Sequence, residues 1–366
     1  MKRLTLLFLL GTVCSFVFGQ KLNPPSLDST EMVYINQIYL TGNKITRDKI
    51  IYRELTLKAG DSLPYKEFLK ALVKSKENLN NSSLFNFVEV RDVQVVAIEK
   101  RHANIHIDLN ERWYIWPMPL FEIAERNPNA WWETKDFSKI NYGLFFSWEN
   151  FRGSKEALKI TAQGGYDEKL GFHYDIPFIN KKQTLGLVLG AGLIRNHEIT
   201  YQTLNNKPIR YRDDEYMRNM YYAYLGLNIR KNIYVSHYFQ LEYRDHQYND
   251  IVFDLNPEFD PQQNRKFKYF SLTYFYKNDH RNDRNFPLKG HYFDAIFVKR
   301  GLGFSKNTNI DLFSVITNLR KYWDLGNKFY FSAGFTGRLA STGKNPYFLN
   351  TGLGYNTDSV RGNEHY

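Results

Sequence analysis

The stretch that decides the fold reads MYYAYLGLNI over residues 220–229, RKN over 230–232 and IYVSHYFQLEYR over 233–244. Two segments rich in Tyr, Phe, Leu and Gly flank a short polar turn, which predicts two antiparallel strands joined tightly. The same rhythm runs outward in both directions from residue 112 on. We read eleven strands, at 114–123, 142–148, 157–164, 171–178, 184–194, 220–229, 233–244, 268–276, 291–298, 309–323 and 328–340. Links after the second, fourth, sixth and tenth strands are short, whereas 195–219 and 245–267 are long and polar. Short turns at one end opposite long loops at the other predict a membrane β-barrel. The link after the eighth strand, 278–290, is longer than that rule expects. Pro117 and Pro119 interrupt the first strand, as an edge position tolerates. Gly186, Gly190 and Gly192 in the fifth are expected to relieve strain in a curved sheet.

Composition agrees. Mean hydropathy is −0.52, and past residue 18 no apolar run approaches the roughly 20 residues that a spanning helix needs. A barrel remains compatible, because apolar and polar residues alternate along each strand and average to a polar value. Aromatic residues make up 17% of the chain, with 27 Tyr and 28 Phe, enough to furnish girdles at two membrane interfaces. Lys2 and Arg3 followed by the apolar run 4–18 read as a secretory signal, with cleavage expected after Gly19. A lipoprotein signal at Cys14 is the rival, though Val13 suits it poorly. Cys14 is the only cysteine, so the exported chain would have no disulfide and would need another source of stability, such as a fully paired sheet. The formal charge of +11 is dispersed over strand ends and loops rather than gathered into a patch. This disfavours nucleic acid and suits anionic lipopolysaccharide or a polar lumen.

Residues 20–32, with Pro24-Pro25, read as a linker. After it, Val33, Ile35, Ile38 and Leu40 form a β-rich segment that stops at Gly42-Asn43. Thr46 is expected to cap a helix over 47–55, and Gly60-Asp61 breaks the chain again. A second helix is expected over 63–79, burying Tyr65, Phe68, Leu69, Leu72, Val73 and Leu79 and exposing Lys66, Lys70, Lys74 and Glu77. Leu84-Phe85 leads into a strand. Ile105, Ile107 and Leu109 alternate through another that ends at Glu111. The order is β-α-α-β-β. With Gly42-Asn43, Gly60-Asp61, Leu84-Phe85 and the closing Leu109-x-Glu111 in sequence, residues 33–111 resemble a POTRA (polypeptide-transport-associated) domain. The resemblance implies a periplasmic α+β domain whose sheet edges receive extended polypeptide segments.

Two further stretches resemble the BamA/TamA superfamily. Asp279-His280-Arg281-Asn282-x-x-Asn285-Phe286-Pro287-x-x-Gly290 is similar to the periplasmic turn before the ninth barrel strand, in which Asp279, Arg281, Asn282, Pro287 and Gly290 carry the pattern. Val360-Arg361-Gly362 looks like the motif of the sixth extracellular loop, which follows strand eleven there as it does here. Asn363 stands where an aromatic is usual. The resemblance implies that Arg361 folds into the lumen, and that residues 112–366 belong to an antiparallel transmembrane barrel of sixteen strands, eleven of them present. An open sheet of eleven would leave two unpaired edges in lipid, so the sequence is expected to be a fragment, or else another chain supplies the wall.

No nucleophile elbow, phosphate loop or helical His-Glu-x-x-His occurs. His102 and His106 have ligand-like spacing but no third candidate nearby, and the cluster Asp279, His280, Asp283, Arg284 reads as a self-bonded turn. Neither cofactor nor metal is expected. The resemblance implies a non-enzymatic factor for outer-membrane protein assembly, insertion or polypeptide translocation. Its partners would be outer-membrane lipids, lipopolysaccharide, unfolded polypeptide clients and periplasmic accessory proteins. The barrel would open at a seam beside Pro117 and Pro119. A two-partner-secretion exporter and a structural or adhesive surface barrel are the alternatives.

Overall fold

The computed structural model describes residues 31–350 apart from 99, 125–130, 134, 206, 263, 304–309, 342 and 344. The Val360-Arg361-Gly362 motif lies outside the described residues.

The first unit runs β1 (Met32–Thr41), α1 (Asp48–Tyr52), β2 (Ser62–Pro64), α2 (Tyr65–Asn80), β3 (Phe85–Ile98) and β4 (Lys100–Glu111). Its sheet has the order β2-β1-β4-β3, with β1 and β4 parallel and the outer pairs antiparallel. Alternation on the two central strands puts Val33 and Ile35 of β1, with Ala103, Ile105 and Ile107 of β4, on one buried face. Phe68, Leu72 and Leu79 of α2 pack onto that face with Ile50, Ile51 and Leu57. Each fully buried aliphatic here contributes about 1.5–3 kcal/mol.

Three expectations need correcting. The short strand β2 was not foreseen; three residues pairing at an edge carry too little pattern to read. Helix α1 is five residues long, begins at Asp48, and has no side-chain cap. Thr46 instead turns its hydroxyl inward, and its neighbours there are described below. On α2 the buried stripe is Tyr65, Phe68, Leu72, Ser75, Asn78 and Leu79. Leu69 and Val73 lie one helical step off it and face outward. Ser75 and Asn78 take the places a hydrophobicity reading would reject because each answers a backbone group: Ser75 Oγ accepts from Thr56 N (2.9 Å) and Asn78 Nδ2 donates to the Glu54 carbonyl (3.1 Å).

The second unit is one eleven-stranded antiparallel sheet. It comprises β5 (Ile115–Ile123), β6 (Ile140–Phe151), β7 (Glu156–Gly165), β8 (Asp167–Ile176), β9 (Leu185–Asn196), β12 (Arg218–Ile229), β13 (Val235–Tyr248), β14 (Lys266–Asp279), β15 (Gly290–Arg300), β16 (Leu312–Gly326) and β17 (Phe329–Ala340). All eleven expected strands are present, in sequence order, with β5 and β17 as its edges among the described residues. The hairpin β10 (Glu198–Leu204) and β11 (Lys207–Arg212) occupies what reads as a polar loop, and a short helix α3 (Ile251–Leu255) occupies the other. Both are held by a second core in which Val252, Phe259, Phe267 and Tyr269 are buried, with Ile199, Tyr201 and Phe348 packed against them. The long links thus fold onto one another at one end of the sheet.

Register separates the two faces. Leu225 pairs with Leu241 and Leu241 with Leu272, and Leu170, Leu144 and Phe335 lie on the same side; all six are exposed. The other face carries a polar ladder, Lys277–Asp294–Asn318–Thr336, across four strands. Asn318 Nδ2 donates to Asp294 Oδ1 (2.9 Å), and Thr336 Oγ1 donates to Asn318 Oδ1 (2.9 Å). Tyr222 and Tyr224 also point there, and they explain two of the β9 glycines. A Cβ at Gly190 would sit 2.3 Å from the Tyr224 ring, and one at Gly192 would sit 2.6 Å from the Tyr222 hydroxyl. At Gly186 the obstacle is the Pro177 carbonyl, at 2.6 Å. These glycines make room for neighbours rather than relieve strain. The substitution Gly190→Ala is expected to cost about 1–3 kcal/mol by overpacking. In the background of Tyr224→Ala it should cost less, the Phe172 carbonyl at 2.8 Å remaining as an obstacle, a non-additivity readable from unfolding midpoints in a double-mutant cycle.

Candidate functional site at the junction of domain and sheet

Chain direction alone places the ends. Strand β4 runs through Arg112–Trp113–Tyr114 into β5, so the small domain meets the end of the sheet that carries the short links. The links β6–β7, β8–β9, β12–β13 and β14–β15 all bond to it, which supplies a physical reason for their brevity and for the one that is long.

Glu54, just after α1, is the centre of this contact and is only 3% exposed. Arg230 of the β12–β13 link grips its carboxylate with both terminal nitrogens, at 2.9 and 3.1 Å. Arg53 lies 3.3 Å from the same carboxylate. It also donates from Nε to the Gln183 carbonyl of the β8–β9 link (2.9 Å) and covers the Phe178 ring at 4.2 Å. Burial alone would raise the Glu54 carboxyl, but Lys155, Arg230 and Arg53 together hold it below the ordinary carboxylate range. Burial, reinforced by the neighbouring Arg230 cation and opposed by Glu54, pulls Arg53 down to about 10. Burial likewise pulls the Lys155 ammonium, from the β6–β7 link, down to about 8, with Glu54 pulling the other way.

A second contact joins the end of α2 to the β14–β15 link. Asn81 Nδ2 donates to the Asn282 carbonyl (3.1 Å), and its own side-chain and main-chain oxygens accept from Arg284 at 3.1 and 3.0 Å. The expected turn residues assemble around it. Arg281 forms a two-pronged pair with Asp279 (2.9 and 2.8 Å) and lies over the Tyr292 ring at 4.6 Å. Asn282 Oδ1 accepts from Leu288 N and Lys289 N, closing the loop around Pro287. Gly290 has φ +107, and a Cβ there would strike the His280 carbonyl at 2.2 Å, so no other residue fits. Asp283 accepts from Asn285 N and Phe286 N. His280 stacks between Tyr234 and His291.

A third contact gathers the domain's own motif residues. Gly42 has φ +85 and lies against the Leu109 carbonyl, where a Cβ would come within 2.0 Å. The Glu111 carboxylate accepts from Ile45 N (3.0 Å) and Thr46 N (2.6 Å), while Asn43 Nδ2 donates to the Thr46 carbonyl and Asp48. Thr46 Oγ1 in turn accepts from Asn150 Nδ2 at the end of β6 (2.8 Å) and meets the Tyr114 hydroxyl at 3.2 Å. Tyr114 donates to the carbonyl of Leu84, which is buried with Phe85 in the domain core. Gly60 (φ +93) and Asp61, which accepts from Lys58 N, form a tight turn on the outer side of β1, away from the junction. Pro117 and Pro119 lie on β5 opposite Phe146 and Leu144. His102 and His106 pack edge-on and face-on against Tyr34 and Tyr39 of the neighbouring strand.

The turn and the domain motifs carry a pattern in the sequence, whereas Glu54, Arg230, Lys155 and Asn81 carry none. The available signal was Arg53-Glu54 immediately before an apolar Leu55, an ion pair with no reason to sit beside the core.

Removing one partner of this buried cluster leaves the others uncompensated. Glu54→Gln is expected to destabilise the junction by about 3–5 kcal/mol, visible as faster limited proteolysis between 111 and 115. The lowered Lys155 value fixes a pH signature. The folded protein loses that proton near pH 8 and the unfolded chain near 10.5, so stability rises with pH across that window. Unfolding free energies of the wild type and of Lys155→Met, measured from pH 7 to 10.5, should show this rise in the wild type only.

A family model for the POTRA domain, described as the surface antigen variable number repeat, matches residues 33–112. No curated protein matches the sequence. Among solved structures, CdiB from Escherichia coli aligns over 92% of this chain and 59% of its own, at 10% identity and a TM-score of 0.52. BamA from Haemophilus ducreyi lacking POTRA domains 1–3 aligns over 90% and 60%, at 17% identity and a TM-score of 0.48. CdiB from Acinetobacter baumannii aligns over 91% and 57%, also at 17% and 0.48. The chain thus spans about three fifths of the length of the solved proteins it resembles. Residues 33–112 are a POTRA domain, and the chain is similar in fold to the aligned part of CdiB from Escherichia coli.

Proposed function

We propose that this chain is a non-enzymatic outer-membrane factor that receives unfolded polypeptide on its POTRA domain, in the periplasm, and passes it to the barrel wall for insertion or translocation. The observation that carries the reading is the free edge of β3. In the order β2-β1-β4-β3 this fourteen-residue strand pairs only with β4 among the described residues, and Phe87 on it is exposed. A long unpaired edge presents donors and acceptors that an extended segment can complete as an added strand.

Placement in the membrane rests on the apolar outer face. Leu144, Leu170, Leu225, Leu241, Leu272 and Phe335 form a band that would be an aggregation hazard in water and is satisfied in lipid. The hairpin β10–β11 and the second core would then face outward, toward lipopolysaccharide. Pro117 and Pro119 lie two apart on β5, so both missing donors fall on the same side of that edge strand and weaken pairing there. That is the property a seam needs if the wall is to part.

Depleting the protein should lower the abundance of other outer-membrane proteins. A photo-cross-linking residue in place of Phe87 should capture nascent clients, whereas one at Asp61, on the far side of the domain, should not. Unchanged outer-membrane protein levels, together with conductance of the purified protein in planar bilayers, would favour the exporter alternative.

A further inference from the structure

The junction leaves one concave surface uncovered. Helix α2 turns Leu69 and Val73, 39% and 61% exposed, away from the domain core. The β14–β15 link stands opposite, with His280, Asn282 and Lys289 forming the other wall of a groove of about 460 Å³. Farther along that link Phe286 is 81% exposed and Leu288 is exposed as well. The rim is cationic. Lys70 and Lys74 come from the helix and Lys289 from the link, and the one carboxylate, Glu77, is already paired with Lys74 at 3.1 Å. Branched aliphatics on an outward helix face, ringed by amines, describe an unfilled binding surface rather than a solvated one.

We propose that this groove takes an acidic segment of a partner polypeptide. Its aliphatic side chain would sit on Leu69 and Val73, and its carboxylates would pair with Lys70 and Lys289. The occupant is argued from charge and shape together. With Lys74 and Glu77 neutralising each other, the amines of Lys70 and Lys289 remain and select an anionic partner. A concave apolar floor walled on two sides suits an inserted side chain, whereas a lipid headgroup layer is met by a flat or convex cationic face. Because one wall belongs to the domain and the other to the sheet, the occupant bridges them. The inference rests on the polypeptide-handling reading only for the class of occupant, and it uses a surface distinct from the β3 edge.

The test uses the full chain in detergent micelles and a fluorescein-labelled decapeptide with two leucines three residues apart among glutamates, followed by anisotropy. Saturable binding is expected. It should weaken by at least about tenfold in Val73→Glu and in the double variant Lys70→Glu/Lys289→Glu, and should fall as salt screens the pairs. These residues lie at the surface, so unchanged unfolding midpoints establish that the variants fold. Absence of saturable binding overturns the inference. So does equal binding of a lysine-for-glutamate or serine-for-leucine peptide, or indifference to the substitutions. Variants that alter only attachment to phosphatidylglycerol vesicles would assign the groove to lipid instead. If the peptide fails to bind while cross-linking at Phe87 persists, this inference falls and the client-edge reading stands.

Discussion

A carboxylate enclosed by three cations holds the two halves of this molecule together. Glu54 belongs to the POTRA domain, and Arg230 and Lys155 belong to links of the sheet. Taking such charges out of water is expensive, and the cost is offset only when geometry is good and the remaining hydrogen bonds are made. Both conditions hold here, since the Arg230 fork is two-pronged and Arg53 spends its other donors on the carbonyls of Gln183 and Arg230. The arrangement fixes orientation more than it adds stability. A hydrophobic interface of the same area could slide, whereas a bidentate pair at a single point cannot.

The large sheet was legible because a strand of ten or so residues with period-two patterning and a polar turn on each side repeats eleven times, and repetition corrects errors at individual boundaries. The domain was legible because Gly42, Gly60 and Glu111 do jobs that few residue types can do: two positive-φ positions, one of them against a carbonyl, and a carboxylate that closes a turn. The elements that escaped are those with no period to read. Strand β2 has three residues, α3 has five, and the hairpin β10–β11 is held by packing against Phe348 and its neighbours from distant parts of the chain. Thr46 was misassigned for an instructive reason. A threonine before a helix normally caps it, but here a tertiary partner, Asn150, more than a hundred residues away competes for the same hydroxyl.

The polar face of the sheet shows how tightly its interior is set. Tyr224 lies over Gly190 and bonds His173 at 2.6 Å, and Tyr222 lies over Gly192 beside it. Large rings reclining on glycine clefts stiffen the wall across β8, β9 and β12 in a way that neither residue type announces alone. The polar ladder of Lys277, Asp294, Asn318 and Thr336 continues the same cross-strand logic with hydrogen bonds in place of rings.

The four anchored links divide the sheet mechanically. Strands β6 to β15 are riveted at one end to a common block, so bending any of them against its neighbour loads the Glu54 and Asn81 contacts. Strand β5 is attached through the chain itself. A twist imposed on the POTRA domain would therefore reach β6 to β15 directly through these links, without first passing along the sheet from strand to strand.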